Sequence, residues 1–406
     1  MTVSQPGRAA FLFIFATVAL DMLALGVMIP VLPKLIVTFE GGDLARASVA
    51  VGVFGFAWAL MQFLFQPVLG ALSDRFGRRP VVLLSNLGLG LDYILMALAP
   101  NLIWLFIGRI VSGITAASFS TASAYIADIT PAEKRAGRFG MLGAAFGLGF
   151  VIGPALGGWL GSYDLRAPFW CAAGLSLLNF CYGLFVLPES LQPENRTKKF
   201  QWRSANIAGG FALLRSKPVL VALGVSTFLH FLAHESLPSI FVLYTDARYQ
   251  WDAAMVGIVL TLVGIASTIV SGAVVRPAVK RLGEWRALTI GLVSGAIGFA
   301  IYGLAPTGAI FLAGIPFGAI WGLAGPAEQA LMSREAGADQ QGLLQGAIGS
   351  LRGISGMIGP VFFTQVFAAS LAAQSFPGTG YVLAAILIVA SLVVALTGRP
   401  KSWPAN

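Results

Sequence analysis

Charged side chains are scarce in this sequence. Asp, Glu, Lys and Arg together make up 11% of the 406 residues, whereas hydrophobic residues make up 57%, and the mean hydropathy is +0.82. A soluble domain of this length cannot bury so much apolar surface, so the composition excludes a water-soluble protein. It predicts a protein that crosses the lipid bilayer many times.

Cysteine is also nearly absent. Cys171 and Cys181 lie ten residues apart in one apolar segment, which excludes a disulfide framework and the ligand spacing of a metal site. The sequence contains no Gly-Lys-Ser or Gly-Lys-Thr loop, so it has no recognisable ATP site. We therefore expect no metal and no cofactor.

The basic residues give a formal net charge of +9 and occur in short clusters between apolar runs. This arrangement is typical of loops that set membrane topology, and it argues against a nucleic acid partner. Of the 26 basic residues, two lie deep inside predicted spans and four in odd-numbered loops. The other 20 lie at the termini, in even-numbered loops or, for Arg138 and Arg286, at the first residue of the span that follows such a loop. Both termini are therefore predicted to be cytoplasmic.

Apolar windows of about 20 residues predict twelve transmembrane helices. The first six lie near residues 9–32, 47–72, 80–99, 101–126, 138–160 and 168–188. The last six lie near residues 218–244, 253–275, 286–305, 307–331, 341–369 and 378–397. The first window is interpreted as a span and not as a cleaved signal, because it contains Asp21 and Pro30 and further apolar runs follow it.

The two halves of the sequence resemble each other. A Gly-Ala pair follows span 2 at Gly70 and span 8 at Gly272, and a Gly-Pro pair lies in span 5 at Gly153 and in span 11 at Gly359. A repeat of about 200 residues predicts two bundles related by an axis along the membrane normal, with any substrate between them.

The predicted fold class is an all-α membrane protein with twelve transmembrane helices in two pseudo-symmetric six-helix bundles. The bundles are expected to cover residues 1–188 and 218–406. The polar segment 189–217 is expected to form the cytoplasmic loop that joins them.

The stretch Gly70–Pro80, GALSDRFGRRP, is densely charged. An Asp or Arg costs on the order of 2.5 to 3.5 kcal/mol at a membrane centre, so we expect a short loop at one membrane face. The two glycines favour a tight turn, and the mixed charges favour a salt-bridged gate over a basic loop that only sets topology. The predicted gating residues here are Gly70, Asp74, Arg75, Gly77 and Arg78.

Span 5 contains the run GLGFVIGPALGGW. Gly149, Gly153 and Gly157 share one helix face and allow another helix to approach closely, while Pro154 removes a backbone hydrogen bond and kinks the span. This pattern predicts an interface that repacks during function. The alternative is the small-residue packing found in many helix bundles.

Ionisable residues inside spans are costly and normally face an aqueous cavity or a partner. The candidates are Asp21, Asp92, Arg109, His230, His234, Glu235, Glu328 and Arg352. Burial favours the protonated form of a carboxylate, so such a residue can load and release a proton as water access changes sides. Asp21 is the first candidate for this role, and a static pair with an Arg of span 4 is the alternative.

His230 and His234 are spaced i, i+4, but Glu235 is rotated by about 100° from their helix face. They are therefore interpreted as the lining of a substrate cavity and not as metal ligands. Arg352 is expected to be buried against a carboxylate of the same half, either Glu328 or Glu235. Gln62 in span 2 completes the predicted cavity.

These motifs resemble those of the major facilitator superfamily. Gly70–Pro80 resembles its loop 2-3 signature, Arg109–Gly113 its span 4 motif, and Gly149–Gly158 the span 5 motif of its antiporters. Within the superfamily, the run LDMLALGVMIPVLP at Leu20–Pro33 and the rest of the first half are similar to tetracycline/proton antiporters. The resemblance implies a monomeric exporter in a bacterial inner membrane.

When the functional roles of the family's residues are transferred to the matching positions of this sequence, the resemblance implies proton coupling at Asp21, Asp92 and Arg109. It also implies a cytoplasmic gate in which Asp74 and Arg78 meet Asp128 at the end of span 4.

The sequence departs from those exporters in its second half. Ser267 and Gly295 stand where the exporters carry a His and an Asp that are associated with proton coupling. Glu235 stands where a Gln is usual, and Glu328 where an apolar residue is expected. These departures imply that proton coupling uses other residues in this chain. We therefore predict that Glu235 takes part in proton coupling together with Asp21, Asp92 and Arg109.

The leading hypothesis is a proton-coupled secondary transporter that exports a small amphipathic drug-like compound by alternating access, as in tetracycline resistance and multidrug efflux. The alternative is a proton-coupled transporter of an endogenous charged metabolite. An intramembrane enzyme is not expected, because no nucleophile elbow or metal motif surrounds His230, His234 or Ser267. A receptor without flux would not explain the duplicated halves.

Overall fold

The computed structural model describes residues 8–115, 118–196, 207–337 and 340–400, and every regular element in these ranges is helical. The first eight α-helices are α1 (Arg8–Met28), α2 (Leu32–Phe39), α3 (Leu44–Phe76), α4 (Arg78–Leu98), α5 (Leu102–Thr115), α6 (Ser118–Ile129), α7 (Ala132–Gly161) and α8 (Ala167–Val186). A short 3₁₀ helix follows at Pro193–Asn195.

The rest of the described chain begins with α9 (Ile207–Arg215), α10 (Pro218–His234), α11 (Ser236–Tyr249), α12 (Ala253–Ile269) and α13 (Val275–Leu282). A π-helical turn, Val270–Val274, joins α12 to α13. The remaining helices are α14 (Glu284–Leu304), α15 (Gly308–Leu312), α16 (Ile315–Trp321), α17 (Ala324–Ala336), α18 (Gln341–Ala372) and α19 (Thr379–Thr397).

These helices account for the predicted membrane spans. Within the described ranges, eleven helices or joined helix groups are long and apolar enough to cross a bilayer. Helix α5 is apolar but only 14 residues long, and together with α6 it covers the predicted fourth span on either side of residues 116–117. Long apolar runs fold as helices because hydrocarbon offers no partner for unpaired backbone groups. The prediction of an all-α membrane protein is confirmed.

The predicted loop at Gly70–Pro80 is wrong. Helix α3 continues through Gly70 to Phe76, and α4 begins at Arg78, so only Gly77 breaks the helix. Gly77 has a φ of 108°, a conformation that residues with a Cβ rarely adopt. The 33 residues of α3 exceed the roughly 20 needed to cross hydrocarbon, so its charged last turns can remain helical outside the membrane.

Other predicted spans are also interrupted. The chain breaks between α1 and α2 at residues 29–31, which confirms the break predicted at Pro30 and Pro33. Span 7 is divided at Glu235, and span 10 is divided into α15, α16 and α17. The polar connector 189–217 was expected to be a loop but contains α9, which packs against α10 and α18. The glycines in the IAGGFALLR sequence of α9 weaken its helical signal.

The chain forms two compact units. Unit 1 comprises Met1–Gly42, Ala57–Trp202 and Trp251–Thr261, and unit 2 comprises Asp43–Phe56, Arg203–Gln250 and Leu262–Asn406. In unit 1, α1 packs against α7 and α8, and α4 packs against α5 and α8. In unit 2, α10 and α14 both pack against α19, and α18 packs against α10 and α11.

The units do not follow the two sequence halves strictly. Within unit 2, Ser48 of α3 donates a hydrogen bond to the Thr364 carbonyl of α18 at 2.9 Å. Within unit 1, Thr261 of α12 donates to the Val151 carbonyl of α7 at 3.1 Å. Each unit thus contains one short segment from the opposite half. The predicted domain boundary at residues 189–217 stays a prediction.

Glycines allow α1 and α7 to lie in direct backbone contact. A Cβ added at Gly153 would lie 2.7 Å from the Gly26 Cα and 2.8 Å from the Leu23 carbonyl oxygen, and one at Gly149 would lie 2.7 Å from the Leu23 nitrogen. A larger residue at either position would push the two helices apart. The close helix approach predicted for span 5 is confirmed, and its role in transport stays a prediction.

Candidate functional site

Unit 1 holds two oppositely charged side chains inside its helix bundle. Asp92 of α4 is 2% exposed and Arg109 of α5 is 8% exposed. Their opposite charges act on each other inside the bundle, although both oxygens of Asp92 lack a hydrogen-bond partner within the described residues. Gly108 makes room for this arrangement, because a Cβ there would lie 2.7 Å from the Asp92 Oδ1 atom. Ser112, one turn further along α5, presents a hydroxyl beside the same carboxylate.

Aromatic rings and a second carboxylate complete this site. The Arg109 guanidinium lies over the Trp58 ring, 5.3 Å from its centroid. Tyr93 is fully buried beside the charges of Asp92, Asp21 and Arg109. The structure therefore brings together three of the four predicted coupling residues. The fourth, Glu235, lies in unit 2.

Of the predicted cavity residues, Gln62 belongs to unit 1. It is half-buried on α3, next to Met61. The Cβ atom of Met61 would lie 2.7 Å from a Cβ added at Gly113 of α5. Gln62 thus lies on the helix that supplies Trp58, although no contact to the charged pair is observed within the described residues.

Unit 2 holds a second buried carboxylate, Glu328 of α17, which is 2% exposed. Ser226 of α10 donates a hydrogen bond to its Oε1 atom at 2.6 Å, and Thr227 donates to Oε2 at 3.2 Å. The Nδ1 atom of His230 lies 3.3 Å from Oε2. Ser391 of α19 supports this group by donating to the Ser226 carbonyl at 2.9 Å.

The other predicted cavity residues of unit 2 lie nearer the surface. His234 and Arg352 are exposed and Glu235 is half-buried. The Arg352 guanidinium lies over the Phe231 ring, 4.8 Å from its centroid, and its charge interacts with that of Glu235. In the described chain no group of three or more His, Cys, Asp or Glu side chains is placed to hold a metal ion.

The expectation that Arg352 is buried against Glu328 or Glu235 is wrong as to burial, because Arg352 is exposed; of the two carboxylates, its charge acts on Glu235. Glu328 is instead enclosed by hydroxyl and imidazole groups of α10, which share one helix face at positions 226, 227 and 230. Arg352 remains exposed on α18, where the Phe231 ring supports its guanidinium without burying it.

Three of the predicted gating residues, Asp74, Arg78 and Asp128, form an ion-pair cluster where α3 meets α4. Arg78 pairs with Asp74 at 2.5 Å and with Asp128 of α6 at 3.0 Å, and it donates to the Ser73 hydroxyl at 2.9 Å. The structure thus joins Arg78 to the partner expected from the resemblance. Arg75 is exposed and lies over the Phe76 ring, outside the cluster.

Sequence reasoning missed Glu189, which follows α8. Its carboxylate accepts hydrogen bonds from the backbone N–H groups of Arg78 at 2.8 Å and Arg79 at 3.2 Å, the first residues of α4. It also accepts the N–H groups of Ser190 and Leu191, each at 3.0 Å. Glu189 therefore caps α4 from a residue more than 100 positions away. Gly77 makes this possible, because a Cβ there would overlap the Glu189 carboxylate.

Comparison with known proteins places the chain among transporters. The sequence model of the Major Facilitator Superfamily matches residues 12–360. The chain is 39% identical over 383 residues to the class C tetracycline resistance protein of Escherichia coli, with 94% of this chain and 95% of that protein covered. It is 36% identical over 393 residues to the class G tetracycline resistance protein of Vibrio anguillarum, with 95% and 97% covered.

The fold also resembles solved transporter structures. The nucleoside transporter NupG superposes with a TM-score of 0.77 at 14% identity, covering 98% of this chain and all of that chain. At this identity the likeness concerns the fold alone.

Proposed function

Because the chain belongs to the major facilitator superfamily, a family of membrane transporters and not of enzymes, we propose that it exports a small amphipathic drug-like compound in exchange for protons. Tetracycline-type efflux is the proposed form of this activity. Relatives 36% to 39% identical over most of the chain are tetracycline resistance proteins, which supports this substrate class. The proposed location is a bacterial inner membrane, with both termini in the cytoplasm.

The buried pair Asp92 and Arg109 is the observation that carries this proposal. An exporter without an ATP site needs another energy source, and proton movement requires an ionisable group that water can reach alternately from either side. An ionised Asp92 is balanced by the Arg109 guanidinium. Protonation of Asp92 removes that balance and leaves Arg109 free to bind an electron-rich group of a substrate. Proton binding and substrate binding at this site are thereby linked.

Asp21 joins this site as a second proton-binding carboxylate. It is 5% exposed on α1, the helix that packs against α7 through the glycine contacts at Gly149 and Gly153. Movement of α7 along α1 would therefore change the surroundings of Asp21. We propose that this movement switches water access, while the Arg78 ion pairs hold the gate.

A second candidate function is proton-coupled transport of an endogenous charged metabolite. The exposed Arg352 and His234 and the half-buried Glu235 favour it. An exposed Arg in the middle of a membrane helix must face water or a partner, and it could bind a substrate carboxylate. A substrate panel that contains both amphipathic drugs and anionic metabolites separates the two functions.

A resistance screen in a host that lacks its own efflux pumps tests the leading proposal. Cells that express the wild type are expected to grow at higher concentrations of tetracycline or related amphipathic compounds, and cells that express Asp92→Asn or Arg109→Ala are expected to lose this advantage. Asp43→Asn is the matched control, because Asp43 is exposed and pairs only locally with Arg46. Membrane levels of each variant are compared by immunoblot. Equal resistance in all variants would contradict the proposed site.

A further inference from the structure

Unit 2 contains one buried acid and one buried base. Among its described Asp, Glu, His, Lys and Arg residues, only Glu328 and His230 are buried. The two lie 3.3 Å apart, from the Glu328 Oε2 atom to the His230 Nδ1 atom. They belong to different helices, 98 positions apart in the sequence, so the contact depends on the fold and not on local helix geometry.

The groups around Glu328 are neutral, and no Lys or Arg lies at ion-pair distance from it in the described chain. Ser226 and Thr227 offer hydroxyl donors at 2.6 Å and 3.2 Å, and such donors stabilise a carboxylate without neutralising it. A charge enclosed in a helix bundle is costly unless a counter-charge accompanies it. His230 is the one group in contact that can supply that counter-charge, by binding a proton.

The charged residues elsewhere around the pair do not replace this function. Helices α16 and α19 carry no charged residue, and those of α9, α11 and α14 lie only in the first or last turn of each helix. In α17 the other charged residues are Arg334 and Glu335 in the last turn, which pair with Glu284 and Lys217. The remaining titratable or charged groups that face the pair are His234, Glu235 and Arg352.

His234 connects the buried pair with the exposed face of unit 2. It lies one helical turn beyond His230, and both imidazole rings contact the Trp321 ring. The ring centroids of His234 and Trp321 are 5.7 Å apart, and those of His230 and Trp321 are 4.9 Å apart. His234 is exposed, as is Arg352 on the neighbouring α18. Ionisable residues within spans normally face a water-filled cavity or a partner, and this favours an aqueous environment for the face that carries Arg352 and His234.

We propose that Glu328 and His230 form a proton-binding site of unit 2, which exchanges protons with water through His234. Loading starts from an ionised Glu328 and a neutral His230. A hydronium ion gives its proton to His234 and becomes water, His234 passes a proton to the unprotonated ring nitrogen of His230, and His230 gives up its Nδ1 proton to the Glu328 Oε2 atom. The product is a neutral carboxylic acid beside a neutral imidazole, and release reverses each step to water. As a further proton carrier of the exporter, beside Asp92 and Asp21, this site rests on the proposed function. As a proton-binding site, it does not.

Infrared difference spectroscopy of the purified full-length transporter in lipid tests the site without a substrate. On acidification the wild type is expected to gain a carboxylic-acid C=O band that is lost in Glu328→Gln. Glu335→Gln is the matched control, because Glu335 lies in the same helix but pairs with Lys217 near the surface. His230→Asn and Ser226→Ala are expected to shift the band, since each changes a group in contact with the carboxylate. A merely structural Glu328 would leave the spectra of all these proteins alike.

Two results would overturn the proposal: a band that persists in Glu328→Gln, or the absence of a band from the wild type across the accessible pH range. Should Glu328→Gln fail to fold, a shifted band in Ser226→Ala supports the site and an unshifted one overturns it. Proton flux in liposomes then tests the coupling role, which predicts loss of substrate-driven flux in Glu328→Gln. If the wild type transports none of the compounds tested but the band behaves as expected, the exporter proposal falls and the proton site stands.

Discussion

Replacing Glu189 by Ala is expected to loosen the start of α4. The wild-type carboxylate accepts two N–H groups of that helix and two of its own connector. Replacement of a side chain that caps a helix N-terminus typically costs about 0.5 to 2 kcal/mol. The negative charge adds roughly 0.3 to 1 kcal/mol through the helix dipole. Because the side chain is 25% exposed, water replaces part of the lost hydrogen bonding, and we expect a loss of about 1 to 2 kcal/mol.

Hydrogen exchange of the backbone amides measures this loss where it arises. A loss of about 1 to 2 kcal/mol corresponds to exchange roughly 5 to 30 times faster at Arg78 and Arg79. Glu189→Gln is expected to fall between the wild type and Glu189→Ala, because its amide retains one acceptor oxygen but no charge. The control is Glu194→Ala, at an exposed position of the same connector. Equal exchange in Glu189→Ala and Glu194→Ala would refute the capping role.

Three further outcomes are expected. Gly153→Ala should lower the free energy of unfolding by about 1 to 3 kcal/mol, because its Cβ would collide with the backbone of α1. Gly143→Ala should leave that free energy unchanged, since its Cβ would meet no atom within 4 Å. Chemical denaturation in detergent compares the two variants. Arg46→Ala should change that free energy by less than about 1 kcal/mol, since Arg46 and Asp43 are 76% and 45% exposed in their pair and exposed ion pairs contribute little. Asp92→Asn should retain the wild-type unfolding transition and still lose proton-coupled export, and loss of the transition itself would show that Asp92 is needed for folding.

The features that the sequence predicted well are those that the bilayer imposes locally. Apolar runs of sufficient length must be helical in hydrocarbon, so the spans could be located without knowledge of their packing. The break near Pro30 also follows from local chemistry, since proline cannot donate the backbone hydrogen bond that continues a helix. Gly149 and Gly153 share a face through helical periodicity alone, which predicted their close approach to another helix.

Features that depend on contacts between distant segments were not predictable in this way. The charged stretch Gly70–Pro80 was predicted to be a loop. Its composition does not show that a single glycine is enough to separate two helices. Glu189 caps α4 from the end of α8, and nothing near it in the sequence indicates that contact. Glu328 was recognised as a costly buried charge, but its partners on α10 could be identified only from the packing of that helix against α17.

The central claim is that the transporter links proton movement to substrate movement through buried ionisable residues. The most direct test is flux in liposomes that contain the purified protein and a pH-sensitive dye, with tetracycline and other amphipathic compounds added under an imposed pH gradient. The account predicts that substrate drives proton movement in the wild type, and that this movement is lost in Asp92→Asn but kept in Asp43→Asn. Substrate flux without any proton movement in the wild type would contradict it.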